Sequence, residues 1–137
     1  MSRVINPNLP GKERNRLRRA IALALRELMR ETEPTSKARD LSAFIALSLE
    51  AINGTVNTTV AAWEKRDYWV KADRFRMDWE WAVNLGAAMR QAVLSEDWAA
   101  IALNAAKIAP HLSDVKVSDR HRMGTPWVGA WKHIQEG

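Results

Sequence analysis

The 137-residue chain contains no cysteine, only one tyrosine and two phenylalanines, and no long apolar run. Without cysteine, the chain cannot form disulfide bonds, ligate zinc through thiolates or use a thiol in catalysis. The longest stretch without a charged residue is 13 residues, from 51 to 63. A membrane-spanning helix needs about 20 mostly apolar residues. Because residues 2–7 also lack the apolar core of a signal peptide, we expect a cytoplasmic protein that makes no membrane contact.

Positive charge is concentrated in the first part of the chain. Residues 1–39 hold 10 basic and 4 acidic side chains, whereas residues 40–137 hold 11 basic and 12 acidic ones. The net charge of +5 therefore comes from the first segment. A charge excess confined to one segment indicates a local partner, such as nucleic acid or an acidic protein surface.

Apolar residues recur every three or four positions through most of the chain, and this spacing predicts α-helices. The prediction is an all-α protein, a single helical bundle of four main helices plus a short C-terminal helix. Residues 1–11, which contain Pro7, Pro10 and Gly11, are predicted to form an extended N-terminal arm, and residues 12–137 a single domain. The four main helices are expected at 12–30, 36–66, 70–93 and 96–112.

Several residues suggest where these helices begin and end. Thr35 or Ser36 is the expected N-cap of the second helix, Ser95 that of the fourth, and Pro110 is expected to end or bend the fourth. No turn signal separates the second helix from the third, and Asp67–Tyr68–Trp69 is the only candidate break, so residues 36–94 are either one helix or two. The pair Thr125–Pro126 predicts the start of the short terminal helix, which carries Trp127, Trp131 and Ile134 on one side.

The segment from Val70 to Val93 has two apolar faces and is predicted to be the central helix. In the first face, Ala82 and Gly86 would allow a neighbouring backbone to approach closely. The second face is a predicted interaction seam, because a helix with two apolar faces must be covered on both. The terminal tryptophan helix is the preferred cover and a second copy of the chain is the alternative. The seam consists of Val70, Met77, Trp81, Asn84 and Ala88.

The basic residues of the first predicted helix form a candidate site for nucleic acid or another anion. Five of them share the face opposite its apolar residues, where they would neutralise phosphates. The competing interpretation is the ordinary solvated face of an amphipathic helix. Tryptophans and basic residues also alternate between Trp63 and Trp81, as in stacking platforms for single strands, but Trp63 and Trp79 fall on core stripes. The five basic residues are Lys12, Arg16, Arg19, Arg26 and Arg30.

Nothing in the sequence predicts catalysis, a metal site or a cofactor. The histidines lack the Glu-x-x-His spacing of helical metal sites, and the glycines stand apart instead of forming a phosphate loop. The acidic residues of the third helix are expected to form ion pairs four residues apart, so they do not suggest a catalytic carboxylate pair. These expected pairs are Asp67 with Lys71, Arg74 with Asp78, and Arg76 with Glu80.

The function predicted from these observations is a non-catalytic helical interaction or assembly protein, whose partner is another protein or a second copy in a homodimer. It depends on the two-faced central helix and on the lack of a catalytic constellation. The alternative is a nucleic-acid-binding subunit that contacts phosphates through the basic first helix.

Overall fold

The computed structural model describes residues 9–137, and these form α-helices joined by loops, with no strand in the described part. The predicted all-α class is therefore confirmed. A 3-10 turn (Ala109–Leu112) follows the fifth of six α-helices. The helices are α1 (Leu9–Met29), α2 (Ser36–Glu64), α3 (Trp69–Asp78), α4 (Glu80–Leu94), α5 (Trp98–Ile108) and α6 (Ala130–Glu136).

The first helix begins three residues earlier than predicted. Leu9, Pro10 and Gly11 already belong to α1, because a proline is tolerated in the first turn of a helix, where its missing N–H has no intrahelical partner. The rest of the predicted N-terminal arm lies outside the described residues.

The centre of the bundle is α2, against which α1, α3, α4 and α6 all pack. Thr35 caps it as predicted, since its Oγ1 accepts a hydrogen bond of 3.0 Å from the Ala38 N–H. The helix runs through Gly54 without a break and is about 43 Å long at 1.5 Å per residue. Its predicted apolar stripe is buried at Leu41, Ile45, Leu49, Ile52, Val56 and Val60.

The predicted central helix over 70–93 is wrong. The chain changes direction at Trp79, whose φ and ψ of −108° and 6° separate α3 from α4. Of the ten residues of α3, all within the described part, only Ala72 is buried, so α3 lies at the periphery of the bundle. The heptad spacing continues across the break, because each half places its own apolar residues towards α2.

The close approach predicted at Ala82 and Gly86 is confirmed, and the neighbouring helix is α2. Both residues are buried in α4. A Cβ on Gly86 would lie 3.1 Å from the Cβ of Leu49, which is closer than two carbon atoms normally pack. The glycine therefore sets the distance between α2 and α4.

Two predicted helix starts are also wrong. Ser95 ends α4 instead of starting α5, because its hydroxyl donates back to the Gln91 carbonyl, and Asp97 caps α5 by accepting from the Ala100 N–H at 3.1 Å. Thr125 and Pro126 precede a turn, and α6 begins only at Ala130. The predicted end at Pro110 is confirmed, since the chain tightens there into the 3-10 turn.

The terminal helix does not provide the predicted cover for the 70–93 segment. The Asp40 carboxylate of α2 accepts from the N–H groups of Gly129 and Trp131, at 3.3 and 3.0 Å. These bonds fix α6 on α2, with which it makes most of its contacts. Trp127 and Ile134 are buried there, and the outer faces of α3 and α4 remain open.

Candidate functional site

Four large apolar side chains are exposed on α3 and at the residue before it. Tyr68 and Trp69 are 52% and 55% exposed, and Val70 and Met77 are 68% and 71% exposed. Val70 and Met77 are seven residues apart, or about two helical turns, and therefore share one face. We call these four residues the α3 surface.

A tight turn after α2 determines the position of the α3 surface. The N–H of Tyr68 donates to the carbonyl of Trp63 at 3.0 Å, the six-to-one bond of a Schellman motif. Asp67 takes the left-handed conformation that such a turn requires, with φ of 62°. Because the turn reverses the chain at the end of α2, α3 packs against α2 through one side only.

The inner side of α3 belongs to a column of aromatic rings. The centroid of Phe75 lies 5.0 Å from that of Trp63 in α2 and 6.3 Å from that of Trp79. Trp79 continues to Trp81 at 5.8 Å, and Trp81 stacks on His111 at 4.2 Å with the rings nearly parallel. Offset and edge-to-face rings at these distances attract one another, so the column ties α3 to the bundle.

Arg14 of α1 fixes the column from the side. Its guanidinium carbon lies 4.8 Å from the centroid of Phe75 and 5.5 Å from that of Trp79. The same group donates to the hydroxyls of Thr55 and Thr59 in α2, at 3.2 and 2.9 Å. Burial lowers the pKa of Arg14 from its ordinary value, although a guanidinium stays charged in proteins. This one side chain therefore joins α1, α2 and α3.

Charges around α3 are paired differently from the prediction. Arg76 binds Asp73 at 3.1 Å and Glu64 at 3.6 Å, and the Lys71 ammonium lies 4.5 Å from the centroid of Trp63. In two of the predicted pairs, one member lies outside α3, because Asp67 precedes the helix and Glu80 follows the break at Trp79. Within residues 9–137, none of the three predicted ion pairs forms, namely Asp67–Lys71, Arg74–Asp78 and Arg76–Glu80.

The structure divides the predicted interaction seam between two helices. Val70 and Met77 lie on α3, where they form part of the exposed surface. Trp81, Asn84 and Ala88 lie on α4, and Trp81 is half-buried against His111. Sequence periodicity did not identify Tyr68 and Trp69, because neither lies on the predicted stripes. Their signal would have been two adjacent aromatic residues at the start of a helix.

A loop lies against the C-terminal part of the predicted basic face. Arg26 donates to the carbonyl of Val117 at 2.9 Å, and Arg18 donates to both carboxylate oxygens of Asp114 at 2.8 and 2.9 Å. The hydrogen bonds from Arg18 lower the pKa of the Asp114 carboxyl below its ordinary value of 3.8. Leu23, which falls within this face in the sequence, is fully buried. Arg26 therefore holds the loop in place.

The remaining basic residues of that face are exposed. Arg16 and Arg30 each pair with the glutamate three residues before them in α1. Lys12 and Arg19 form no ion pair with any other residue in the described range. The exposed positive charge of α1 is thus smaller than the five-residue face predicted from the sequence.

No family model matches the chain. Comparisons with curated proteins and with solved structures also give no significant match. Among the described residues, no three His, Cys, Asp or Glu side chains are grouped so that they could hold a metal ion. None of the helices between Leu9 and Gly137 has the length and apolar character needed to cross a bilayer.

Proposed function

We propose that this protein is a non-catalytic interaction protein that binds another protein through the α3 surface. The observation that carries the proposal is the exposure of Trp69, Val70 and Met77 on one peripheral helix and of Tyr68 just before it. Folded monomers rarely leave large apolar side chains clustered at the surface unless the cluster binds a partner. Aromatic residues and methionine are also the types enriched in protein interfaces.

The anchoring of α3 supports this function. The aromatic column and Arg14 hold the inner side of the helix, so its outer side chains are presented from a fixed backbone. A surface that is ordered before binding loses less conformational entropy when the complex forms. The affinity of a small contact patch therefore benefits from this arrangement.

The charge on α3 favours a protein partner over a nucleic acid. The helix carries three basic and two acidic residues, and one of the basic residues, Arg76, is neutralised by its own ion pairs. Binding to a phosphate backbone requires a dense excess of cations, each of which replaces a counterion. An apolar surface with nearly balanced charge instead resembles the core and rim of a protein interface.

The test compares the proteins that the wild type and two variants capture from an extract of the cells that produce this protein. The double variant Trp69→Ser/Met77→Ser removes the apolar contacts. Val128→Ser is the matched control, because Val128 is 70% exposed and lies far along the chain from α3. We expect a bound protein, identified by quantitative mass spectrometry, to be recovered with the wild type and the control and reduced about tenfold with the double variant. Equal recovery with all three would contradict the proposal.

A second candidate function is nucleic-acid binding through α1, and the exposed, unpaired Lys12 and Arg19 favour it. The test measures affinity for mixed-sequence DNA and RNA at two salt concentrations. Replacing Lys12, Arg16 and Arg19 by glutamine should weaken binding to all sequences and reduce the salt slope by about one for each lost phosphate contact. Arg26 is left intact because it holds the loop. Affinity and slope that do not change would reject this candidate.

A further inference from the structure

We propose that the loop 113–124 and the outer face of α1 form one basic surface that binds the phosphate backbone of double-stranded nucleic acid. The inference rests on the second candidate function and deepens it, because it adds the loop to α1 and names the form of nucleic acid that fits. The α3 surface takes no part in it. Five exposed cations make up the basic surface, namely Lys12 and Arg19 of α1 and Lys116, Arg120 and Arg122 of the loop.

Two contacts fix the loop on α1 and thereby set the position of its first cation. Arg18 binds Asp114 near the start of the loop, at 2.8 Å. Eight residues further along α1, or about 12 Å, Arg26 donates to the carbonyl of Val117. Three extended residues of the loop span about 10 Å, so the loop follows α1 between these contacts. Lys116 therefore lies on the outer side of α1, between the two points of attachment.

A short turn holds the other two cations of the loop. The N–H of Arg120 donates to the hydroxyl of Ser118 at 3.1 Å, and the N–H of His121 donates to the Ser118 carbonyl at 3.1 Å. The N–H of Met123 donates to Nδ1 of His121 at 3.2 Å. Because these bonds fix the backbone on both sides of His121, Arg120 and Arg122 keep defined positions, and binding loses little entropy in ordering the loop.

The whole net charge of the protein lies on α1 and this loop. Together they hold nine basic and four acidic residues, whereas the rest of the chain holds 12 of each. None of the five cations of the basic surface forms an ion pair within residues 9–137. Each of the four acidic residues is paired with an arginine: Glu13 with Arg16, Glu27 with Arg30, Asp114 with Arg18 and Asp119 with Arg26.

The side chains of the basic surface favour a duplex over other polyanions. Neither α1 nor the loop contains Trp, Tyr or Phe, whereas proteins that hold single strands stack the bases on aromatic rings. Within residues 10–28 and 113–124, no large apolar side chain is exposed, whereas a helix that binds a membrane surface inserts such side chains. A duplex offers its phosphates on the outside. Residues 12–26 extend about 21 Å along α1, the length of about six base pairs.

The experiment measures the affinity of the full chain for labelled DNA and RNA duplexes of mixed sequence, by fluorescence anisotropy at several salt concentrations. The loop variant is Lys116→Gln/Arg120→Gln/Arg122→Gln. The logarithm of the association constant should fall with the logarithm of the salt concentration, with a slope of about −4 to −5 for the wild type and about −2 for the loop variant. At about 0.1 M salt, the loop variant should bind at least about tenfold more weakly.

A matched control removes the same net charge from another part of the molecule. Lys65→Gln/Arg66→Gln/Arg74→Gln also replaces one lysine and two arginines, all exposed and without an ion pair among the described residues. It should bind a duplex with the affinity and slope of the wild type. A decrease equal to that of the loop variant would overturn the inference, because the position of the charges would then not matter.

A second loop variant separates charge from loop structure. Arg120→Lys/Arg122→Lys keeps both charges and should bind within about threefold of the wild type, since contacts with a phosphate backbone depend mainly on charge. A loss as large as that of the glutamine variant would mean that the loop does not act through its charge, and would overturn the inference.

Two other probes test the choice of partner. A single strand of the same sequence and vesicles that contain about 30% phosphatidylserine should each bind at least about fivefold more weakly than the duplex, because the basic surface lacks aromatic and apolar contacts. Equal or tighter binding of either probe would overturn the assignment to a duplex.

Failure of this inference is distinguishable from failure of the second candidate function. If Lys12→Gln/Arg16→Gln/Arg19→Gln weakens binding and the loop variant binds like the wild type, α1 binds nucleic acid without the loop, and only this inference is overturned. If the wild type binds no duplex at about 50 mM salt, both are overturned. The capture experiment on the α3 surface is independent of either outcome.

Discussion

At the scale of single residues, two residues with positive backbone φ angles determine where the chain reverses. Asp67 and Glu96 have φ values of 62° and 52°, and they follow α2 and α4 respectively. After each of them, the next residue donates its N–H to a carbonyl five positions earlier, at 3.0 and 2.9 Å. Glycine usually occupies this position, because other residues are strained there. Since neither turn contains glycine, Asp67–Tyr68–Trp69 was recognisable in the sequence only as a candidate break, and the structure places the turn there.

The strain at Asp67 predicts an unusual order of stability among its variants. The free energy of unfolding of Asp67→Gly should be about 1 kcal/mol higher than that of Asp67→Ala, because alanine is strained at positive φ and glycine is not. Urea denaturation of the two variants measures the difference. Asp73, inside α3, is the control position. There the free energy of unfolding of the alanine variant should exceed that of the glycine variant by about 1 kcal/mol. The same order at both positions would contradict the geometry of the turn.

At the scale of helices, the pattern of the sequence predicted which side of α1 and of α2 is buried. The stripe of α2 is buried almost throughout, and α1 buries Leu17, Ile21 and Leu25 as expected. Periodicity could not reveal the break at Trp79, because the apolar spacing is the same on both sides of it. It also could not reveal that Arg26 is used internally, since its partner Val117 lies 91 residues away in the sequence.

The candidate site was predicted only in part, for the same reason. Val70 and Met77 were assigned to a seam covered by the terminal helix or by a second copy, whereas both are exposed in the structure. Trp81 was placed with them, but its contact with His111 depends on the long-range position of the 3-10 turn. A groove lined by apolar residues and by Glu31 and Glu33 had no local signal at all, because it forms between the end of α1 and α5, which are far apart in the sequence.

The packing of α4 on α2 predicts opposite effects for two glycine substitutions. Gly86→Ala should lower the free energy of unfolding by about 1 kcal/mol or more, because its methyl group would overlap with Leu49 between two buried backbones. Gly54→Ala is the matched control within a helix. Nothing lies within 4 Å of its added Cβ, so it should raise stability by about 1 kcal/mol through helix propensity. Chemical denaturation of both variants gives the signs, and stabilisation by both would contradict the close packing.

The loop on α1 predicts a pH effect at Asp114. Arg18 lowers the pKa of this carboxyl, so Arg18→Gln should raise it towards the ordinary 3.8. Because the pKa is depressed in the folded protein, the contact stabilises the loop above pH 3.8 and is lost as the pH falls through the folded-state value. NMR titration of the Asp114 side chain measures this change. Arg16→Gln is the control and should leave the titration unchanged.

At the scale of the whole molecule, the net charge hides an uneven arrangement. Three of the ten basic residues in 1–39 make contacts within the protein, Arg14 with the aromatic column and Arg18 and Arg26 with the loop. The same segment contributes Glu31 and Glu33 to the groove at one end of α2. At the other end of α2, the charge on α3 is nearly balanced. A long central helix thus separates an acidic surface from a nearly neutral apolar one.

The peripheral position of α3 predicts how fast its amides exchange with deuterium. Amides of α3 should exchange faster than those in the middle of α2, because α3 buries a single residue of its ten. Hydrogen–deuterium exchange of the wild type measures both helices in the same sample. Exchange in α3 that is as slow as in the middle of α2 would contradict the peripheral packing of α3.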